Sequence, residues 1–273
     1  MSLPAPLRVC GILACHNRKD KTLACLHAFF ALARPPHVAL QAVILDDASS
    51  DGTAEAVRHA FPQVKLLSGN GHSFWCGGMR QAWQEAARAN PDYYLLLNDD
   101  TLLRTDALEK LFALIPDPNT PGLAVGAIAD PATGRWSYGG VPTRVGATLT
   151  SSEPRPVRSF NGNCVLIPRS VFQKLGMFHS AYTHALGDYD YGFAATRAGF
   201  FIRETPEFVG TCPRDHRDPA WQDHTLNRWT RLRLLNSPKG LPYREWWTYC
   251  RRNHGWLWPF RWISPTLRIL LGR

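Results

Sequence analysis

Apolar runs of strand length alternate with helix-length segments through the first hundred residues, and that alternation leaves few folds open to the chain. Residues 7–14, 39–45, 64–67 and 93–97 are continuous or nearly continuous apolar runs. Such runs predict strands buried on both faces, as parallel sheets require. Between them, residues 21–32, 53–60 and 77–89 carry helical apolar spacing. Pro35-Pro36 and Pro62 close the first two helices, and Asp51 or Thr53 caps the second. The spacing is that of βαβ units, so residues 1 to about 100 read as a Rossmann-like parallel half of an α/β domain.

The remainder changes character. Residues 124–128, 136–138 and 147–150 predict short strands in a smaller mixed or antiparallel section. Residues 161–167 form a further apolar strand that leads into a helix from Arg169, and residues 207–211 make a last short strand. After Pro213 the chain is rich in Arg and Trp, with helical stretches near 221–235 and 243–253. Pro259 and Pro265 argue against one long helix in the tail.

Composition narrows the class. With 45% hydrophobic and 19% charged residues among 273, the chain is globular. A net charge of +9 suits an anionic partner such as a nucleotide or a phospholipid surface. No recognised nucleic-acid module accompanies that charge. The seven cysteines are scattered and form no CxxC pair, which argues against a zinc ribbon and fits a reducing cytosol. The apolar run at 7–14 is too short for a secretory leader, and no segment offers the roughly 18 apolar residues that cross a bilayer.

The strand ends carry the chemistry. Tyr93-Tyr94-Leu95-Leu96-Leu97 runs straight into Asn98-Asp99-Asp100. Open α/β sheets bind ligands at the carboxyl ends of their strands. Adjacent acids repel unless they share a positive charge. A divalent metal carrying phosphates is one candidate for it, and a solvated turn capping the next helix is the alternative reading. Asp46 ends the second strand, where a short acid can accept from a base ring or ribose. Asp51-Gly52-Thr53 reads as a helix-capping turn. The loop Gly69–Gly78 leads into a helix whose first amides could meet phosphate or simply turn the chain; it is neither a P-loop nor GxGxxG.

Taken in order, five motifs over residues 8 to about 216 resemble the family 2 glycosyltransferases of the GT-A fold, including bacterial rhamnosyltransferase-like members. They are His16-Asn17-Arg18, Asp46-Asp47-Ala48-Ser49-Ser50-Asp51-Gly52-Thr53, Asn70-Gly71, Leu97-Asn98-Asp99-Asp100 and Gly187-Asp188-Tyr189-Asp190. The resemblance implies a catalytic domain over 1–216, divided into a nucleotide-sugar half (1–103) and an acceptor half (104–216), with a helical basic-aromatic extension over 217–273. It assigns His16, Asn17, Arg18, Asp46, Asn70, Asn98 and Asp99 to the donor, and Asp100 with His216 to a divalent metal, Mg2+ or Mn2+. Trp75, Asn161 and Asp190 fall on the acceptor side, and Asp188 matches the general base of inverting enzymes. Two positions depart from the family pattern. Asn98 stands at the first position of the DxD motif, and Gly187 stands where a Glu is usual.

The implied reaction moves a sugar from a UDP- or dTDP-sugar to a hydroxyl on a glycan or lipid-linked acceptor, in cell-surface polysaccharide or glycolipid synthesis. Asn98 and Gly187 keep open a catalytically degenerate nucleotide- or glycan-binding module. Nucleotidylyl transfer or methyl transfer from S-adenosylmethionine would want a glycine-rich first turn, which His16-Asn17-Arg18-Lys19-Asp20 does not supply. In the tail, Arg251–Trp262 mixes cations with interfacial aromatics, which suits docking on the inner face of a cell membrane; packing on the domain or a dimer contact is the alternative. A Tyr249…Arg252-Asn253 element before such tails recurs in these transferases.

Overall fold

The computed structural model describes residues 6–143, 153–214 and 219–272. Strands β1 (Leu7–Cys15), β2 (Val38–Asp46), β3 (Lys65–Ser68) and β4 (Tyr93–Leu97) are parallel and lie in the order β3-β2-β1-β4. Helices α1 (Lys19–Phe30), α2 (Thr53–Ala60) and α3 (Phe74–Arg88) connect them, as the alternation predicted. Side chains leave each strand on alternate faces. Val9 and Leu13 of β1 pack with Leu26 and Phe29 of α1, whereas Cys10 and Ile12 pack with Met79 and Trp83 of α3. Helices cover both faces, so β1 and β4 tolerate no polar position, and each fully buried Leu or Ile contributes about 1.5–3 kcal/mol.

The second half extends the same sheet. It comprises β5 (Leu102–Leu103), α4 (Ala107–Leu114), β6 (Gly122–Ala129), β7 (Trp136–Tyr138), β8 (Gly140–Pro142), β9 (Arg155–Phe160), β10 (Cys164–Pro168), α5 (Arg169–Leu175), α6 (Gly187–Arg197) and β11 (Phe201–Thr211). A 3-10 turn, Ala220–Gln222, precedes α7 (Arg228–Leu235) and α8 (Tyr243–Asn253), and a second, Gly255–Leu257, leads into α9 (Trp258–Leu270). Strand order continues β4-β10-β6-β11-β9-β8, with β5 on β11 and β7 on β6. Because β10 is antiparallel to β4, its first residue, Cys164, lies opposite the last residue of β4, Leu97. The start of β10 therefore shares one edge with the ends of β1, β2 and β4. Buried Glu204 of β11 fastens this half together, accepting from Trp136 Nε1 (3.0 Å), Gly140 N (2.9 Å) and Arg155 Nε (2.7 Å).

Four expectations change. Helix α3 starts at Phe74, so Phe74–Gly78 is its first turn and not loop, because Asp47 captures the amides ahead of it. The strand expected over 161–167 starts at Cys164, and β9, which sequence reading left unassigned, precedes it. The last strand begins at Phe201. Pro265 sits inside α9 without ending it, while Pro259 occupies the first turn, where a missing N–H has no cost. The strand expected over 147–150 lies outside the described residues.

Candidate active site

The loops after β1 and β2 are buttoned together. His16 Nδ1 lies 2.7 Å from the Asp47 carbonyl. Asn17, in the left-handed region at φ 51°, donates its N–H to Ser49 Oγ (2.8 Å) and accepts from Ser50 N (2.7 Å). Asp46 is buried and accepts from Ser49 N (3.1 Å) and from the Ser49 hydroxyl. Asp47, which sequence reading did not single out, accepts from Gly71 N and Phe74 N, both at 2.9 Å. Burial opposes its ionisation, but those amides outweigh it and hold the carboxyl below the usual range. Asn70 makes a local turn by accepting from His72 N at 3.0 Å.

Beside these loops, the triplet after β4 has a cation of its own. Arg18 Nη1 lies 2.7 Å from Asp100 Oδ2 and 3.2 Å from Asp99 Oδ1. The positive charge that two adjacent acids demand is thus supplied by the chain, from a residue read as a donor contact. Burial pushes the Asp99 carboxyl up to about 6, with Arg18 working against the shift and Asp100 adding to it. Cys212, following β11, places Sγ 3.4 Å from Asp100 Oδ1. Arg18 is 46% exposed, so water screens the pair and an incoming cation can displace it.

As a metal site the triplet is partial. Hard carboxylate oxygens suit Mg2+ or Mn2+, which commonly take one or two carboxylates and complete their shell with substrate phosphates and water. Asp100 fits that role. Among the described residues no three His, Cys, Asp or Glu side chains converge on a metal, and His216 lies outside the described residues.

Asn98 does not face the acids' cation. Its Oδ1 accepts from Trp75 Nε1 at 2.8 Å. The same indole covers Gly162, where an added Cβ would stand 2.6 Å from the ring. Gly162 N in turn donates to Asp188 Oδ2 at 2.9 Å. Trp75 therefore bridges the turn after β4 to the first turn of α6. Asp188 is 8% exposed, and its other oxygen accepts from Tyr189 N at 2.9 Å. Burial raises its carboxyl to about 6 against those amide bonds, and among the described residues no cation pairs with it. Asn161 Nδ2 donates to the Tyr189 hydroxyl at 2.7 Å.

Gly187 also has a packing reason. A Cβ there would meet Cys76 Sγ at 2.4 Å, so the Glu usual at this position has no room. Asp190, expected on the acceptor side, is engaged by the C-terminal helices. It turns away to α8, where Arg252 Nε reaches both its oxygens (2.9 and 3.0 Å) and Asn253 Nδ2 donates at 2.8 Å. The reason is helical: Asp188 and Asp190 lie two residues apart, about 200° around the axis. The structure thus gathers Arg18, Trp75, Asn98, Asp99, Asp100, Asn161 and Asp188, with His16, Asn17, Asp46 and Asn70 on neighbouring loops of the same sheet edge.

The description Glycosyl transferase family 2 matches residues 11–176. A search of curated proteins by sequence finds no match. Among solved structures, the mannosyltransferase PcManGT from Pyrobaculum calidifontis, in complex with GDP-Man and Mn2+, is similar with a TM-score of 0.60 at 16% identity, over 98% of this chain and 74% of that one. S. aureus TarS 1-349 in complex with UDP-GlcNAc gives 0.58 at 10% identity, over 97% and 81%. GalNAc-T7 with UDP, GalNAc and Mn2+ gives 0.57 at 13% identity, over 97% and 56%. At these identities the structures speak for the fold, which is GT-A, while the sequence match covers more than half of the chain. The chain belongs to glycosyl transferase family 2 and is a glycosyltransferase.

Proposed function

We propose that the protein transfers a sugar, with inversion, from a nucleoside-diphosphate donor to a hydroxyl acceptor, using Asp188 as the base. One observation carries this reading. Asp188 is a buried carboxylate held by two amides and no cation, so it takes up a proton near neutral pH. In the reaction the acceptor hydroxyl gives its proton to Asp188 as its oxygen bonds to the sugar C1. The bond from C1 to the leaving diphosphate breaks on the opposite face, which inverts the centre. His16, Asn17, Arg18, Asp46, Asn70, Asn98 and Asp99 form the donor side, with Trp75 and Asn161 toward the acceptor. Asp100 would hold Mg2+ or Mn2+, with His216 as the second protein ligand, and a cation bound there would supply charge neutralisation for the leaving diphosphate.

The resemblance points to a UDP- or dTDP-sugar as donor and to a glycan or lipid-linked acceptor in cell-surface polysaccharide or glycolipid synthesis. Residues 1–216 act as the catalytic domain and 217–273 as an extension that docks on the inner face of the cell membrane. Residues 246–273 hold five arginines and no acid, and Trp256, Phe260, Leu267 and Leu271 are exposed. No helix among the described residues is long and apolar enough to cross a bilayer. A cytoplasmic location agrees with seven free, buried cysteines.

The test is nucleotide release from a panel of UDP-, dTDP- and GDP-sugars with Mn2+ or Mg2+, with and without acceptors. Asp188→Asn is expected to lower transfer at least about a hundredfold while donor affinity stays within about twofold. Donor binding without turnover by the wild type favours the degenerate-module reading, which rests on Asn98 and Gly187 and gains support from Arg18 holding both acids.

A further inference from the structure

The C-terminal helices enclose a cleft of about 370 Å³ against α6, and its lining is not that of an ordinary core gap. Leu186 and Tyr189, which flank Asp188 in the chain, form one wall. Trp246 and Tyr249 of α8 form the next, stacked with ring centroids 5.5 Å apart and planes 14° from parallel. The third is a stripe of α9: Arg261, Ser264 and Arg268. At positions i, i+3 and i+7 these three share one helix face over about 10 Å.

Every ionisable group lining the cleft other than the tyrosines is basic. Neither Arg261 nor Arg268 pairs with a carboxylate among the described residues, although Arg252, one turn before α9, is fully engaged by Asp190. His254 sits between the walls, its imidazole pushed down by burial and by the charges of Arg261 and Arg158. The buried Trp246 Nε1 has no hydrogen-bond partner. The two guanidiniums and the Ser264 hydroxyl are donors, and an aromatic wall stands beside them. Such a set matches an anion with several acceptor oxygens attached to a ring that can stack. The cleft also adjoins Asp188, since Tyr189, which donates its N–H to that carboxylate, lines the cleft.

We propose that this cleft is an acceptor subsite that binds a phosphoryl group on the acceptor, with Arg261, Ser264 and Arg268 on the phosphate and Trp246 and Tyr249 against the adjoining sugar. The assignment rests on the transfer reading above, because only then is the molecule beside Asp188 an acceptor. Two sources present the same chemistry, a lipid-linked phosphate and a soluble sugar phosphate.

His254 supplies a local probe. Its imidazole resonances, assigned with His254→Gln, are followed by NMR as pH is varied, without metal, in the presence of inorganic phosphate, glucose 1-phosphate or farnesyl phosphate. A bound phosphate offsets the arginine charge, so the His254 midpoint is expected to rise by about half a pH unit or more. Arg261→Gln/Arg268→Gln, which keeps much of the stems' packing, is expected to weaken that binding about tenfold or more while nucleotide-sugar affinity stays unchanged. Glucose 1-phosphate acting alone assigns the soluble source, and farnesyl phosphate acting alone or far more tightly assigns the lipid-linked one. An unmoved His254 in the folded wild type, or an equal shift in the double variant, overturns the site. If phosphate binds in an arginine-dependent way but no nucleotide sugar binds at all, the transfer reading fails and the acceptor role falls with it. The anion site itself then stands.

Discussion

Asp99 and Asp100 carry like charges side by side, and Arg18 is what lets them remain so. Removing it leaves a buried carboxyl already pushed up to about 6 without its cation. Arg18→Gln is therefore expected to lower the thermal midpoint of the metal-free protein. Mn2+ should restore more stability to the variant than it adds to the wild type, because metal and guanidinium compete for one charge. Differential scanning fluorimetry with and without Mn2+ checks this, and equal metal-induced shifts would refute it. Asp188 makes a second case at this scale. Its carboxyl, raised to about 6, binds a proton more tightly folded than unfolded. Stability gained from the protonated form is complete below the unfolded value of about 3.9 and is lost as pH rises through about 6. The wild-type thermal midpoint should therefore rise as pH falls from 8 toward 5, and Asp188→Asn should lack that part of the rise. In the wild type, kcat/KM should fall below about pH 6, as the base becomes protonated. An equal pH dependence of stability in the variant would refute the assignment of that proton to Asp188.

At the scale of elements, the meeting of α3 and α6 decides what stands before Asp188. Gly187 packs on Cys76 of α3 so closely that any side chain must displace the sulfur. Gly187→Ala should cost about 1–3 kcal/mol by urea denaturation, and Cys76→Gly in the same chain should recover part of that loss. Additive costs in the double variant would show that the two positions are independent. This contact also explains how the family's Glu can be absent while Asp188 keeps its place: the helix start is set by Gly162 and by the Asp190 clasp on α8. The helix periodicity and the turn chemistry of α1 and α2 were plain in sequence, since each buries one stripe. The start of α3 was not, because its cap is Asp47, twenty-seven residues earlier in the chain than Phe74. No local pattern announces a cap supplied from a different loop.

For the molecule as a whole, α8 is tied to α6 and the loop before it by the Asp190 clasp, by Arg197 on Asn253 and by Thr183 N on Glu245, and α9 lies beyond these ties. One stripe of α9 lines the cleft beside α6, and next to it Phe260 and Leu267, with Leu271 just past the helix end, are exposed. Truncation after Asn253 keeps the clasp and removes α9. The shortened protein should fold and retain donor binding, but lose most of its association with vesicles containing anionic phospholipid in a co-sedimentation assay. Undiminished association would locate any membrane contact elsewhere. Salt should weaken the wild-type interaction, since the arginines act on the lipid charge over a Debye length of about 10 Å.

Much of this was written into the chain locally. Uninterrupted apolar runs such as Tyr93–Leu97 require burial on both faces, and that calls for a sheet covered by helices on each side. Acids placed directly after such strands, at Asp46 and Asp100, fall at the ligand-binding edge of any sheet of this kind. Partners across that edge were a different matter. Residues 81 and 82 apart bring Arg18 to Asp99 and Asp100, 23 bring Trp75 to Asn98, and 62 bring Arg252 to Asp190. Burial pattern is a property of one segment and its period, so sequence alone determined it. Counter-ions, shared hydrogen bonds and the unpaired arginines of the cleft depend on which segments the sheet order makes neighbours, and only the tertiary structure decided those.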